Sequence, residues 1–397
     1  MELKILVVCQ YYYPEPFRIT DICEKLVKKG HKVIVLTGLP NYPEGEIYEK
    51  YKNKKNRIEN INGVDIIRAF EIGRGNSKIS LFLNYLSFSI SGSLKALFLK
   101  EKIDVILVNQ LSPVLMGIPA MVYKKKYGKK ILLYCLDLWP SSLIAGGVSN
   151  TSLVYKIFLK ISKWIYNSAD SIFVSSEMFK EYFKEVLNIN DKKIDYLPQY
   201  AEDLFKDCEK KSDEDLFNFV FAGNIGDMQS IETIVLAANE LKKYKNIMFH
   251  IVGDGSKLKE CKELFKKLKL SNIKFHGRKP VEEMPYFYGM ANAMLLTLKA
   301  DKIISYTLPG KVQSYMIAKK AILGAIDGEA MNVIKKSGCG LCCSAEDYKE
   351  FAKIILEFCN NKNNDEMEKK SYKYYLENFN KDSFMNKLEK KLEELNV

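Results

Sequence analysis

The sequence predicts an α/β chain built as two Rossmann-like domains in series, each on a parallel sheet. Three observations predict it. Short apolar runs alternate with helical segments, a single polar stretch interrupts the alternation before it restarts, and Gly-containing loops recur where strands give way to helices. Apolar strands that run continuously, rather than alternating with polar residues, belong to parallel sheets covered on both faces. At 397 residues and 47% hydrophobic, the chain is long enough for two cores of ordinary size.

Residues 4–9 read as a strand, 19–29 as a helix and 32–37 as a second strand, the opening of a βαβ unit. Further strands are predicted at 64–67, 105–108, 131–134 and 171–174. Residues 81–99 form the most apolar long segment, but Asn84, Gly92, Lys95 and several serines make it too polar and short to span a membrane. In 152–166, Lys156, Lys160 and Lys163 fall at i, i+4 and i+7, while Ile157, Ile161, Trp164 and Ile165 lie largely on other faces. That pattern suits a helix lying on a membrane surface and equally an ordinary helix with a solvated lysine stripe. Residues 198–216 turn polar and acidic, and strands restart at 218–222, 247–252, 273–276, 293–298 and 322–326. The expected division is therefore 1–198, 199–377, and a C-terminal helix over 378–397 returning to the first domain. Ligands of such folds bind in a cleft at the carboxyl ends of the strands.

The formal net charge is +12, with 29 Lys+Arg against 19 Asp+Glu in residues 1–200 and near balance beyond. A diffuse basic excess suits an anionic membrane surface or a phosphorylated ligand. No helix-turn-helix, finger or RNA-binding signature accompanies it, so nucleic acid is not expected. The nine cysteines show no disulfide spacing and the N-terminus no signal-peptide pattern, which reads as a reduced, cytosolic chain. Cys339-Gly-Leu-Cys342-Cys343 lacks a second pair or a nearby His, and reads as a buried strand rather than a zinc site.

Two segments carry the chemistry: Phe221-Ala-Gly-Asn-Ile-Gly-Asp-Met-Gln-Ser230 and Leu308-Pro-Gly-Lys-Val-Gln-Ser-Tyr-Met316. Each reads as strand, glycine loop and helix start, a junction that leaves backbone N–H groups unpaired and points the positive helix end at a phosphate. Two junctions suggest a diphosphate, with Lys311 as the one cation at either. Gly253 and Gly255 form a third Gly pair after a strand, and the Gly277-Arg278-Lys279-Pro280 loop ends a fourth strand where a planar base could sit.

With Tyr11-Tyr-Tyr-Pro-Glu-Pro-Phe-Arg18, Leu36-Thr-Gly-Leu-Pro-Asn-Tyr-Pro43 and Asp137-Leu-Trp-Pro140, these motifs span nearly the whole chain. In that order they resemble family 4 glycosyltransferases of the GT-B fold, in the fucosamine-transferase-like branch of capsule, colanic acid and O-antigen assembly. The resemblance implies two Rossmann-like domains facing each other across a cleft, a UDP-sugar donor, no cofactor and no metal. It also implies a polyprenyl-diphosphate-linked or growing glycan acceptor met at the inner face of the cell membrane, and a retaining mechanism. Donor contacts would come from Gly223, Asn224, Gly226, Gln229, Gly253, Gly255, Arg278, Pro309, Gly310, Lys311, Ser314 and Glu329. Asp137, Lys311 and Arg18 would carry catalysis. Glu15, Asn41, Tyr42, Lys156, Lys160, Lys163 and Trp164 would face acceptor or membrane.

The chain departs from the family pattern at four positions. Asn224 and Gln229 stand where an Arg and a Lys hold the diphosphate, and Tyr306 and Ser314 where two glutamates hold sugar and ribose. Asp137 is read as orienting sugar or acceptor, against a simple helix cap. Asp213-Glu-Asp215 is read as a solvated charge run rather than a metal-binding triplet, and His31, His250 and His276 as core or loop residues. Two other functions fit the fold. A UDP-sugar epimerase would need acid/base side chains beside the sugar, and a non-catalytic partner subunit would explain the four missing side chains.

Overall fold

The computed structural model describes residues 1–75, 77–209, 216–361 and 363–396. Asp213-Glu-Asp215 lies outside the described residues. Two compact units emerge, Met1–Leu197 with Met385–Val397, and Pro198–Phe384.

The first unit contains β1 (Lys4–Val8), α1 (Ile19–Lys28), β2 (Lys32–Thr37), β3 (Ile58–Ile61), β4 (Val64–Arg68), α2 (Lys78–Leu97) and β5 (Val105–Gln110). It continues through α3 (Ile118–Tyr127), β6 (Ile131–Cys135), α4 (Ser142–Ala145), α5 (Leu153–Ser168), β7 (Ser171–Val174), α6 (Phe179–Glu185) and β8 (Ile194–Tyr196). The strand order is β3-β4-β2-β1-β5-β6-β7-β8. β1, β2, β5, β6 and β7 are almost wholly buried, as their unbroken apolar runs require. One edge departs from the expected parallel sheet. β3 pairs antiparallel with β4 through an Asn62-Gly63 turn whose residues both have positive φ, 52° and 82°. That is the conformation a two-residue hairpin turn demands and Asn-Gly supplies.

The second unit contains β9 (Phe217–Ala222), α7 (Ile231–Glu240), β10 (Ile247–Val252), α8 (Leu258–Lys267), β11 (Ile273–Gly277), α9 (Met284–Met290) and β12 (Ala293–Thr297). After these come α10 (Lys302–Ser305), α11 (Gly310–Ile317), β13 (Ala321–Ala325), α12 (Gly328–Ser337), β14 (Gly340–Cys343), α13 (Tyr348–Asn360) and α14 (Asn364–Asn378). The order β11-β10-β9-β12-β13-β14 is parallel throughout. Alternate residues of β9 feed two cores: Phe219 and Phe221 one cluster, Val220 and Ala222 the other. His250 bonds Asn218 and His276, each at 2.9 Å, which fits its reading as a core residue.

The last helix, α15 (Lys381–Asn396), belongs from Met385 onward to the first unit. Glu389 takes Lys29 at 2.6 Å and the buried His31 at 2.9 Å, and Lys391 reaches Asp195 at 3.4 Å.

Candidate active site

In the second sheet the chain leaves β9 outward to β10 and β11, then returns to β12 on the other side of β9. The order therefore reverses between β9 and β12, where an open α/β sheet leaves a ligand crevice beyond its strand ends. The two glycine segments follow these two strands, and they are tied together. Lys299 N–H donates to the Met228 carbonyl at 3.0 Å, the Thr297 hydroxyl to the Gln229 carbonyl at 2.6 Å, and Lys299 Nζ pairs with Asp227 at 2.8 Å.

The first junction differs from its expected form. Gly223 N–H is taken by the Val252 carbonyl at 2.9 Å, Ile225 N–H by Asp254 at 2.8 Å, and Gly226 N–H by Gln229 Oε1 at 3.1 Å. Gln229 also accepts from Asn224 at 3.2 Å, so the two departures from the family pattern bond each other. With Gly253 N–H on the Gly277 carbonyl at 2.9 Å, the loops after β9, β10 and β11 form one hydrogen-bonded rim. Gly253, with φ +146°, is required for that rim, because a Cβ there would lie 1.8 Å from Gly223 O. Gly255 is also confined, since a Cβ there would lie 2.4 Å from Ile225 O. Lys311 is also not the one cation here, since Lys257 and Lys299 both approach Asp227.

The second junction is not a direct strand-to-helix step. Asp301 caps α10 through Ile303 and Ile304 N–H, and the chain then runs extended through Pro309 into α11. No side chain caps α11, so the first-turn N–H groups at Gly310 and Lys311 face outward. A Cβ added at Gly310 would meet no atom within 4 Å. Ser314 Oγ is spent on the Gly310 carbonyl at 3.1 Å, and Gln313, with its amide reoriented, donates to the Pro309 carbonyl at 3.0 Å.

Lys311 is half-buried, and its ammonium turns inward, 3.8 Å from the Phe221 ring centre. A Cβ at Gly223 would lie 2.5 Å from Lys311 Cε, so that glycine makes room for the lysine. Burial lowers the Lys311 pKa to about 7. Glu329 is buried in the first turn of α12, and Gly328 before it lies against Ser305 of α10. This brings a carboxylate-bearing segment to the α10–α11 stretch that lacks the two family glutamates. Arg278 is exposed beyond β11.

In the first unit Glu15, Asn41 and Tyr42 come together. The buried Glu15 carboxylate accepts Tyr42 N–H at 2.7 Å, Asn41 N–H at 3.0 Å and Tyr12 N–H at 3.3 Å, and burial raises its pKa to about 7. Asn41 is itself fully buried, bonded to the Leu39 carbonyl and Arg74 N–H, whereas half-buried Tyr42 packs on Tyr11 and Phe17. Arg18 stands at the N-cap of α1. Asp137, just past β6, accepts from Ser142 Oγ at 2.5 Å and Trp139 Nε1 at 3.2 Å, and burial raises its pKa. Its oxygens meet side chains rather than the first amides of α4, whose N-cap is Ser141. Lys156 and Lys160 are exposed on α5, Lys163 is half-buried, and Trp164 is 50% exposed.

The sequence reading passed over Glu71. Its fully buried carboxylate receives Gln10 Nε2 at 2.7 Å, Asn84 Nδ2 at 2.6 Å and Leu39 N–H at 3.0 Å, and burial still lifts its pKa to about 8. Asn84, a polar residue in an apolar helix, was the available signal, since a buried amide needs partners. No group of three or more His, Cys, Asp or Glu able to hold a metal occurs among the described residues, and none of their helices is long and apolar enough to cross a membrane.

Comparison with known proteins gives matches over both units. Residues 18–199 match the family described as Glycosyltransferase Family 4, and residues 204–375 match Glycosyl transferases group 1. The probable glycosyltransferase WbjE of Pseudomonas aeruginosa is 26% identical over 64% of this chain, which spans 66% of that relative. The putative colanic acid biosynthesis glycosyl transferase WcaI of Escherichia coli is 21% identical over 79% of this chain and 81% of its own length. Among solved structures, Anabaena HepE in complex with UDP and glucose superposes with a TM-score of 0.72 at 12% identity, over 99% of this chain and all of that one.

Proposed function

From the premise that the chain is a GT-B glycosyltransferase, made of a family 4 and a group 1 domain, we propose that it transfers an N-acetylhexosamine or its deoxy relative from UDP with retention. The acceptor is a polyprenyl-diphosphate-linked or growing cell-surface glycan, in keeping with the polysaccharide assembly for which WcaI is named. The observation that carries the reading is the pairing of the glycine rim after β9 with the uncapped α11 N-terminus and Lys311 at the reversal of strand order. HepE, with the same fold, was solved with UDP, which supports a UDP donor.

In this mechanism Lys311 and the α11 amides neutralise charge as the diphosphate leaves, a preorganised stabilisation that acts most strongly in the transition state. Glu329 orients donor sugar or ribose, and Arg278 and Pro280 border the base. Asp137 and Arg18 position the reacting groups. The acceptor hydroxyl enters on the face the diphosphate leaves, so the departing phosphate oxygen takes its proton and neither a protein base nor a metal is needed. The lysines of α5 hold the enzyme at the anionic inner face of the membrane, where a lipid-linked acceptor resides.

The test incubates purified protein with a panel of UDP-sugars, with and without extracted acceptor lipid, and follows UDP release and the first-formed anomer by NMR. Acceptor-dependent UDP release, retention and insensitivity to EDTA are the expected results. An inverted product requires a dedicated base and overturns the mechanism. Interconversion of UDP-sugars without release makes the chain an epimerase, and no turnover with any donor makes it a partner subunit.

A further inference from the structure

Helix α2 exposes an apolar stripe to solvent. Ile79, Phe82, Leu83, Leu86, Ile90 and Leu94 recur at helical spacing on one side, while Asn84, Tyr85, Phe88 and Gly92 are buried on the other. Ile79 is 73% exposed. Helix α5 does the same with Leu153, Val154, Ile157 and Trp164, and its inner face is Tyr155, Phe158, Ile165 and Tyr166. The two helices are joined: α2 packs closely on α3 where Gly92 meets Pro119, α3 touches α5, and Lys78 Nζ of α2 reaches the Gly146 carbonyl ahead of α5 at 3.2 Å. Exposed apolar surface of this extent on neighbouring helices marks an interaction face.

Charge selects the occupant. Helices α2, α3 and α5 carry eight lysines and no Asp or Glu. Lys156 and Lys160 flank the α5 stripe, while Lys125 and Lys126 close the far end, Lys126 over the Phe98 ring and Lys124 spent on Asp170 at 2.6 Å. A second copy of the chain pairing through this face would set lysine against lysine, since the three helices carry no carboxylate to answer them. An anionic bilayer offers acyl chains for the stripe and phosphate headgroups for the lysines. Polarity bars α2 from crossing, and no helix among the described residues is long and apolar enough to do so.

We propose that α2 and α5 together form a monotopic docking face, with the α2 stripe immersed at the acyl boundary and the lysines on the headgroups. The inference rests on the reading of a membrane-borne acceptor and assigns the main insertion to α2, the segment whose serines and Asn84 disguise it in the sequence.

The experiment uses the full chain with phosphatidylcholine vesicles and with 1:1 phosphatidylcholine/phosphatidylglycerol vesicles, in flotation and in fluorescence. Of the two tryptophans Trp139 is buried, so brominated acyl chains report on Trp164. Expected are flotation with the anionic vesicles, quenching of Trp164, and at least a tenfold loss of binding in a Leu86→Asp/Ile90→Asp variant with unchanged melting and UDP affinity. A Lys156→Glu/Lys160→Glu/Lys163→Glu variant should lose the salt-sensitive part. Wild type that does not float, or a double variant that floats as well as wild type, overturns the proposal. A dimer that the double variant splits would assign the face to self-association and overturn it as well. Loss of docking with UDP release intact leaves the transferase reading standing, and the converse result leaves the docking face standing.

Discussion

Lys311 holds its ammonium 3.8 Å from the centre of the Phe221 ring, with no carboxylate prominent among the causes of its lowered pKa. A ring face attracts a cation by roughly 1 to 2 kcal/mol, less than desolvating an ammonium costs. The lysine is therefore destabilised as a cation until an anion arrives, and it is the residue from which function and stability should separate most clearly.

Lys311→Met should melt at a higher temperature than wild type at pH 7, yet bind UDP more weakly and turn over 10² to 10³ times more slowly, about the effect of removing one preorganised donor. The folded pKa, about 7, lies below the unfolded 10.5. Between these values the unfolded chain binds the extra proton, so wild-type stability rises with pH and the advantage of Met shrinks. Melting curves from pH 6.5 to 10 with calorimetry of UDP check both; equal melting and equal affinity would remove Lys311 from the site.

Gly310→Ala and Gly253→Ala should fail differently. The first adds a Cβ into open space at the head of α11, so melting should hold while UDP binding falls tenfold or more. The second forces φ +146° on a residue with a Cβ 1.8 Å from Gly223 O, and should cost at least about 1 to 3 kcal/mol of stability. Chemical denaturation beside calorimetry separates them, and a Gly310→Ala protein with wild-type affinity would show that the α11 N-terminus holds no phosphate.

Ser142 and Trp139 donate to different oxygens of Asp137, so Asp137→Asn keeps the shape and one acceptor while it deletes the charge. A partial loss of transfer with UDP affinity intact is expected, and the anomer formed should not change. Near-complete loss in the variant, together with an inverted product from the wild type, would make Asp137 the base.

Glu71→Gln should destabilise by about 1 to 3 kcal/mol, because three donors converge on Glu71 and an amide presents a donor to one of them. Glu71 at about 8 and Glu15 at about 7 both lie above the ordinary carboxylate value. Their folded forms keep protons that the unfolded chain sheds, so this contribution to stability is full below about pH 4.5 and is lost as pH rises through 8. Urea melts at pH 5.5 and 8.5 should show a smaller pH dependence in the Gln variant.

The parallel strands were legible because burial on both faces writes itself as unbroken apolar runs, as at 105–108 and 247–252. β3 was not, because Ile58–Ile61 is short, half polar and lies at an edge, although the Asn62-Gly63 turn encoded it. α10 was hidden for a related reason: one turn held by Asp301 leaves no periodicity. At the site, the glycines and Lys311 could be read from spacing, but their partners could not. That Gly223 N–H meets the Val252 carbonyl, or that Lys299 pairs with Asp227, depends on which loops the sheet order brings together.

The helix α15 has a consequence for how the chain is made. The first unit keeps a piece of itself at the far end of the polypeptide, with Glu389 covering His31 and Lys391 reaching Asp195. On a ribosome the N-terminal 197 residues emerge long before that piece, while the second unit is still being synthesised. During that interval the first unit has neither the carboxylate for Lys29 nor the apolar seal of Met385, Leu388 and Leu392. Synthesis at about 5 to 20 residues per second leaves it incomplete for roughly ten seconds or more, and a nascent chain arrested before Met385 should be cut by protease in the first unit more readily than the released protein.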